Sequence, residues 1–452
     1  MKFVKNWWQA WRQDKLLGVV IRNTSYLFSS TTISMGLTSM MGFLTALMLG
    51  PADYGTLGMI ILFASSVNRL LSFRMGELVV KYAGHYLAIG RRDQASAVIK
   101  TAGIAEALTS IAAYVILLLL TPLAARYILK DISTQPLIAV YGLSVLASLM
   151  TETSTAVLQI GSHFRTQAAM GLVQSGITAL GIIYAYFSWG TLNTIVSAYL
   201  LGKMMYGIGM MAFAIYWLRP MLGKNWGLVP LKLLNNRREM VRFAISTNLS
   251  GTINMVIRDS EVLWAGFFLT KMETGYYKFA LAVMNFILMP ITPFINTTFP
   301  EITRAVAKMD WMRLRLLLRR TTLISATWTI GCAAVFLFFG RWGLGFLKNG
   351  AYQPSYTLIL TLLVGFGIAN IFFWSRPLLL AFEKPNYPLK VNFIAGAIKT
   401  ILMFILVPLV GVPAQAGLLS GYFLFSIGLT VRKGLGLIHH AEHDGINQVS
   451  TA

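Results

Sequence analysis

Long apolar segments separated by short polar turns follow one another along almost the whole chain. A helix needs about 20 mostly apolar residues to cross a bilayer, and twelve segments reach or approach that length. The predicted spans are 23–49, 55–78, 97–120, 136–158, 167–188, 191–217, 241–269, 276–299, 321–339, 354–381, 387–410 and 412–431. We therefore predict an all-α integral membrane protein with about twelve transmembrane helices.

The seventh predicted span, 241–269, is apolar on most of its surface but carries charged residues well inside it. Polar and small residues recur in it at steps of four and three, which places them on one helix face: Thr247, Gly251, Asn254, Arg258 and Glu261. A charged side chain at the bilayer centre costs about 2.5–3.5 kcal/mol. We expect this face to meet other helices or a wet cavity, as the lining of a transport pathway does.

Composition supports a membrane protein. The chain has 56% hydrophobic and only 12% charged residues, whereas about a quarter of the residues in soluble domains are charged. No polar stretch is long enough to form a separate soluble domain. Cys332 is the one cysteine, so an internal disulfide is excluded.

The net charge of +22 reflects where the basic residues lie and does not indicate nucleic-acid binding. With the N-terminus inside, 29 of the 38 basic residues fall in inner segments and six in outer ones. Lysine and arginine are enriched in this way in cytoplasmic loops, next to an anionic leaflet. Both termini are therefore predicted to be cytoplasmic.

The chain also repeats. Asp53 and Gly55 lie 220 residues before Glu273 and Gly275 at corresponding turns. Because six spans per half is an even number, the two halves would have the same orientation, as in some secondary transporters. The predicted regions are an amphipathic interfacial helix (1–22), an N-lobe (23–218), a cytoplasmic connector (219–240), a C-lobe (241–431) and a cytoplasmic tail (432–452).

Three basic residues, Lys203, Arg258 and Lys399, fall near the middle of predicted spans. In one interpretation they line a central cavity between the lobes and hold an anionic group, with phosphate as the expected one. In the other they are structural. Arg258 then pairs with Glu261, while Lys203 and Lys399 pair with Glu106 or with Glu152.

Four acidic residues also have a functional and a structural interpretation; three lie at similar depth in the spans, and Glu152 lies nearer the inner side. Glu106, Glu152, Asp259 and Glu261 could bind protons or sodium and couple their movement to transport. Alternatively, each is permanently paired with a basic neighbour. The sequence favours neither.

Three helix-breaking residues lie in or directly after the eighth predicted span: Pro290, Pro293 and Pro300. Proline removes a backbone donor and kinks a helix, and membrane helices tolerate it where the freed carbonyls meet a cavity or a neighbouring helix. We expect a break here, either as a hinge or as a static kink.

The sequence has little that points to an enzyme. Its histidines lack metal-ligand spacing, and neither a glycine-rich phosphate loop nor a Ser/His/Asp arrangement is present. The histidines at 439–443 fit a solvated tail. We expect a non-enzyme without cofactor or metal.

Short motifs resemble a known family. Residues 49–55, Leu-Gly-Pro-Ala-Asp-Tyr-Gly, are similar to a turn found in the polysaccharide-transport (Wzx-type) branch of the multidrug/oligosaccharidyl-lipid/polysaccharide exporter superfamily. Residues 258–269 followed by Gly275-Tyr276-Tyr277 resemble that family's seventh-span pattern. The Glu383-Lys384-Pro385-Asn386 turn also has a counterpart there.

The resemblance implies a MATE-like, two-lobe flippase in the bacterial inner membrane. It would move an isoprenoid-pyrophosphate-linked oligosaccharide to the outer leaflet for O-antigen, capsule or exopolysaccharide assembly. Its expected partners are that lipid-linked substrate, membrane lipids, and a polysaccharide polymerase with its chain-length machinery; nucleic acid is not among them. Arg258, Lys399 and Lys203 would hold the pyrophosphate. The sugars would contact polar residues of the seventh and eighth spans, Thr247, Asn254, Asn285 and Asn296.

Two other functions remain as alternatives. One is a cation-coupled multidrug or metabolite antiporter with its cation site at Glu106, Asp259 or Glu261. The other is a membrane glycan polymerase or ligase, which would need catalytic residues on the outer face and usually a long outer loop. The predicted outer loops are short.

Overall fold

A computed structural model describes residues 15–71, 75–234 and 237–450. These parts of the chain are helical throughout, without a β-strand among them. The predicted interfacial helix 1–22 lies mostly outside the described residues. From Lys15 onward, its last part belongs to the same helix as the first span.

Eighteen α-helices form the described structure. They are α1 Lys15–Leu49, α2 Pro51–Leu71, α3 Met75–Leu78, α4 Gly84–Ala88, α5 Arg92–Tyr127, α6 Gln135–Ala147, α7 Thr151–Ile160, α8 Phe164–Phe187, α9 Leu192–Leu222, α10 Arg237–Asn254, α11 Glu261–Phe268, α12 Lys271–Leu288, α13 Thr292–Ala307, α14 Trp311–Phe346, α15 Ser355–Ile371, α16 Ser375–Ala381, α17 Asn386–Val410 and α18 Val412–Ser450. Two π-helical turns, Val79–Ala83 and Met255–Asp259, and three short 3₁₀ turns complete the set.

Ten helical segments of the described chain are long and apolar enough to cross a membrane. They correspond to the predicted spans one to six and nine to twelve. Spans seven and eight are each divided into two shorter helices, α10 with α11 and α12 with α13. The chain is therefore a multi-pass membrane protein of the predicted all-α class.

The predicted repeat reappears in the order of the helices. Helices α2, α5, α8 and α9 are matched in the second half by α12, α14, α17 and α18. The fourth and tenth spans are even broken at comparable places, between α6 and α7 and between α15 and α16. The two halves thus have similar sequences of helices.

The chain divides into two compact units. Unit 1 consists of residues up to Met41, Ile60–Arg126 and Asp131–Asn254; unit 2 consists of Gly42–Met59, Tyr127–Lys130 and Met255–Ala452. Unit 1 has an apolar core around Val79, Val98 and Ala156. Unit 2 has a larger one around Tyr277, Phe279 and Ile359.

Two glycines of the repeat, Gly55 in α2 and Gly275 in α12, pack directly against each other in unit 2. A Cβ added to Gly55 would lie 2.6 Å from the Lys271 carbonyl oxygen and 2.7 Å from the Gly275 nitrogen. A Cβ added to Gly275 would lie 2.5 Å from the Pro51 carbonyl carbon and nearer still to its oxygen. Small residues let membrane helices approach backbone to backbone, which gives these motif glycines a physical role.

The contact between Gly55 and Gly275 is called the glycine joint below. Lysines next to this joint bind backbone carbonyls of unit 2. Lys278 donates to the Tyr54 carbonyl at 2.6 Å and lies 3.7 Å from the centre of the Tyr54 ring. Lys130 donates to the Leu269 carbonyl at 2.7 Å, and Lys348 donates to the Met48 carbonyl. Leu269 and Met48 lie at helix C-termini, where cations stabilise carbonyls left unpaired. Three of the six basic residues of the predicted outer side therefore have structural partners.

The C-terminal tail corrects one expectation. Residues 439–443 were expected to form a solvated tail, but α18 continues as a helix through Ser450. Ile438 is buried in a small apolar core with Leu314 and Trp374, and Glu442 pairs with Arg315. The first part of the tail therefore extends the last span as a helix with one packed face, while His439 and His440 are exposed, as a solvated tail requires.

Candidate functional site

The seventh predicted span is not one continuous helix, contrary to our expectation. After α10 the backbone forms the π-helical turn Met255–Asp259, and α11 starts only at Glu261. The Ser260 N–H donates to the Met255 carbonyl at 3.0 Å, and the Trp264 indole N–H donates to the Val256 carbonyl at 3.3 Å. A π turn contains one residue more than an α-helical turn. Asn254 and Glu261, on either side of it, therefore do not share one helix face as predicted.

Glu261 begins α11 and is almost completely buried, with 4% of its surface exposed. One carboxylate oxygen accepts from the Lys399 ammonium of α17. The other accepts from the Tyr277 hydroxyl at 2.8 Å and from the Gln415 side-chain amide at 2.9 Å. Three helices, α12, α17 and α18, thus supply donors to a single carboxylate.

Lys399 is equally buried and lies 5.9 Å from the centre of the Tyr422 ring. Its pairing fits the structural interpretation better than the phosphate-binding one, but the alternative partners Glu106 and Glu152 were wrong. One acceptor of the cluster is unused: the buried Gln415 Oε1 has no hydrogen-bond partner among the described residues. The cluster is a buried polar network inside unit 2 that pairs one carboxylate with one ammonium group.

Glu106 of α5 is a second buried carboxylate, in unit 1, with 3% of its surface exposed. It accepts from the backbone N–H groups of Glu152 at 2.8 Å and Thr153 at 2.9 Å. These are the unpaired donors at the start of α7, where a negative charge is favourable. Glu106 therefore caps a helix across the break between α6 and α7.

Lys203 of α9 differs from Lys399, because it is exposed. Within residues 15–71, 75–234 and 237–450, Lys203 forms neither a hydrogen bond nor an ion pair. The charged residue with an electrostatic effect on its ammonium group is Arg69. An exposed cation without an acidic partner among the described residues is suited to binding an anion.

The other predicted site residues lie on helices or next to their breaks. Asn285 and Asp259 are exposed, and Glu152 is partly buried. For a further set the structure describes the backbone, while the side chains lie outside the described part: Thr247, Asn254, Arg258 and Asn296.

The expected break in the eighth span is confirmed. Helix α12 ends at Leu288, Met289–Ile291 form a turn that contains Pro290, and α13 starts at Thr292. Pro293 occupies the first turn of α13, where its missing N–H costs nothing.

Sequence reasoning missed Tyr277 and Gln415 as members of the buried network. Both carried a signal. Tyr277 belongs to the Gly-Tyr-Tyr motif, and Gln415 is a polar residue inside the otherwise apolar start of α18. A polar side chain within a span usually has a polar partner on another helix.

Comparison with known families identifies the class of this fold. The chain belongs to the polysaccharide biosynthesis protein family, which it matches over residues 44–347. The matched region includes the glycine joint, the π turn and Glu261. No curated protein matches the sequence.

Solved structures of transporters have the same fold. An inward-facing multidrug resistance MATE family transporter of the MOP superfamily has a TM-score of 0.73 at 11% identity, over 91% of this chain and 96% of the transporter. The lipid II flippase MurJ, in an inward closed conformation, has a TM-score of 0.70 at 14% identity, over 90% and 87%. A MOP superfamily transporter from Pyrococcus furiosus has a TM-score of 0.61 at 11% identity, over 93% and 96%.

These findings agree with the resemblance seen in the motifs. The chain has the fold of MOP-superfamily transporters and flippases, and it is a multi-pass membrane protein of polysaccharide biosynthesis. The bacterial inner membrane fits this family. Its relatives in fold are transporters and flippases and not enzymes.

Proposed function

We propose that the protein flips an isoprenoid-pyrophosphate-linked oligosaccharide from the cytoplasmic to the outer leaflet during assembly of a surface polysaccharide. The observation that carries this proposal is the combination of the polysaccharide biosynthesis family with the fold of a transporter superfamily that includes a lipid II flippase. A polysaccharide polymerase and its chain-length machinery are the protein partners we propose.

Lys203 and Arg258 are the cations that we assign to the pyrophosphate. Lys203 lacks an acidic partner among the described residues, so its charge is available to an anion. Arg258 belongs to a π turn, a feature frequent at functional sites. Lys399 is the third predicted cation; because Glu261 already neutralises it, its contact with substrate would require that pair to open. We assign Thr247, Asn254, Asn285 and Asn296 to the sugars.

Replacing Lys203 with glutamine should lower transport about tenfold or more, because a hydrogen bond to a charged group contributes about 1.5–3 kcal/mol. The measurement is flipping of a fluorescent lipid-linked oligosaccharide in proteoliposomes, with polymer export in cells as a second readout. Arg258→Gln is expected to behave in the same way.

Lys224→Gln is the matched control, since Lys224 is an exposed lysine of the connector. It should flip substrate at the wild-type rate. If Lys203→Gln and Arg258→Gln were both as active as Lys224→Gln at equal protein levels, the assigned phosphate site would be wrong.

The membrane potential should drive this reaction. Moving two negative charges outward across an inside-negative membrane is favourable by about 4–5 kcal/mol per 100 mV, at about 2.3 kcal/mol per charge. Clamping the potential to zero at constant pH and sodium should therefore slow outward flipping. An unchanged rate would exclude the potential as the energy source. It would instead favour coupling to an ion, with these predicted ion-coupling residues: Glu106, Glu152, Asp259 and Glu261.

A multidrug antiporter is the alternative function, because the fold is MATE-like. An antiporter needs a carboxylate that can exchange its cation. Both oxygens of Glu106 and both oxygens of Glu261 already accept hydrogen bonds from protein donors. Two of the three predicted cation sites are thus committed to contacts within the protein, and on this ground we favour the flippase. Drug sensitivity without loss of surface polymer in a deletion strain would favour the antiporter.

A further inference from the structure

A cavity of about 420 Å³ lies in unit 2, away from the Glu261 network. One wall is the face of α14 that carries Arg315, Arg319 and Leu323, and the opposite wall is the extended end of α18. Residues that line it are Arg315, Leu318, Arg319, Thr322, Leu323, Trp374, Leu435, Ile438 and His439. This volume falls within the range of small-ligand sites.

The polar groups of this cavity are suited to an anion. Arg315 is already paired with Glu442. Arg319, one turn further along α14, forms no ion pair or hydrogen bond within the described ranges. Thr322 accepts the Trp374 indole N–H at 2.7 Å, so its own hydroxyl proton is directed elsewhere and can be donated. Arg319 and Thr322 thus offer a cation and a donor on one helix face.

Apart from His439, the remaining lining is apolar and lies at a membrane boundary. Four arginines precede Thr321 in α14, and the helix then continues without a charged residue until Arg341. Leu318, Trp374 and Ile438 form the buried floor of the cavity. Leu323 and Leu435 are 56% and 49% exposed and form its open side. Basic pockets between helices at such a boundary suit anionic lipid headgroups.

We propose that this cavity binds an anionic phospholipid of the bilayer, with its phosphate on Arg319 and Thr322 and an acyl chain between Leu323 and Leu435. The polar lining is too small for an oligosaccharide, whose hydroxyl groups would require several further hydrogen-bonding partners. The site does not depend on the proposed transport function, because none of its residues belongs to the assigned substrate site.

Native mass spectrometry of the full-length protein tests this proposal with phosphatidylglycerol and phosphatidylcholine as probes. Phosphatidylglycerol should bind about tenfold more tightly than phosphatidylcholine, and Arg319→Gln should remove most of that difference. Arg320→Gln is the matched control. It removes the same charge from the adjacent residue, which is exposed and outside the cavity, so it should preserve the preference.

A second variant addresses the apolar part of the site. Leu435→Trp fills the open side of the cavity without changing charge and should weaken phosphatidylglycerol binding. Equal binding of the two lipids to the wild type, or equal losses in Arg319→Gln and Arg320→Gln, would overturn the proposal. So would displacement of phosphatidylglycerol by a lipid-linked oligosaccharide pyrophosphate, which would identify the cavity as a substrate site.

Discussion

Replacing Glu261 with alanine is expected to destabilise the protein by about 3–5 kcal/mol, because the change removes the carboxylate that pairs with the buried Lys399 ammonium. The same change removes the acceptor of the Tyr277 hydroxyl and the Gln415 amide. Thermal unfolding of the detergent-solubilised protein, followed by tryptophan fluorescence, should show a clearly lower midpoint.

A double variant distinguishes the effect of an unbalanced buried charge from the effect of lost side-chain volume. Glu261→Gln retains an oxygen for Tyr277 and Gln415, and Lys399→Met removes the stranded charge. Each single change should be strongly destabilising. Their combination should recover most of the loss, since neutral replacement of a buried ion pair is often close to neutral in stability. Additive losses in the double variant would show that the two side chains do not interact as described.

Gly275→Ala is expected to have the second large effect, a loss of at least about 1–3 kcal/mol from overpacking. Its new methyl group would meet the Pro51 carbonyl, which is backbone and cannot rotate away as a side chain could. An alanine in a helix would otherwise be favoured over glycine by up to about 1 kcal/mol. The unfolding midpoint and the yield of folded protein should therefore both fall.

Gly331→Ala provides the contrast, because a Cβ at Gly331 meets no atom within 4 Å. It makes the same chemical change inside α14 and should leave the midpoint unchanged or raise it. Gly55→Ala, on the other side of the joint, should resemble Gly275→Ala. If all three alanine variants had the same unfolding midpoint, close packing at the glycine joint would not explain the glycine motif.

Apolar length and the positions of proline were enough to predict most of the fold. The break near Pro290 was predictable because proline prevents a continuous hydrogen-bond ladder. The break at Met255–Asp259 was not, since no proline or glycine occurs there and a helical pattern is counted at 3.6 residues per turn.

The buried network was predictable only in part. Glu261 and Lys399 were recognised as lying inside predicted spans because charges in apolar segments are conspicuous. Their partnership was not, because 138 residues separate them and the sequence does not reveal which faces of two helices meet. For the same reason the partner predicted for Lys399 from the sequence was Glu106 or Glu152. In the structure Glu106 instead accepts hydrogen bonds from backbone N–H groups.

The composition of unit 2 limits how this protein can be cut into fragments. Its Gly42–Met59 stretch comes from the N-terminal half of the sequence, yet it supplies Gly55 and the carbonyls bound by Lys278 and Lys348. A gene fragment beginning at the connector would encode α12 without its glycine partner and would leave these lysines without their acceptors. Split-protein reporters and half-transporter chimaeras should therefore keep residues 42–59 with the C-terminal piece.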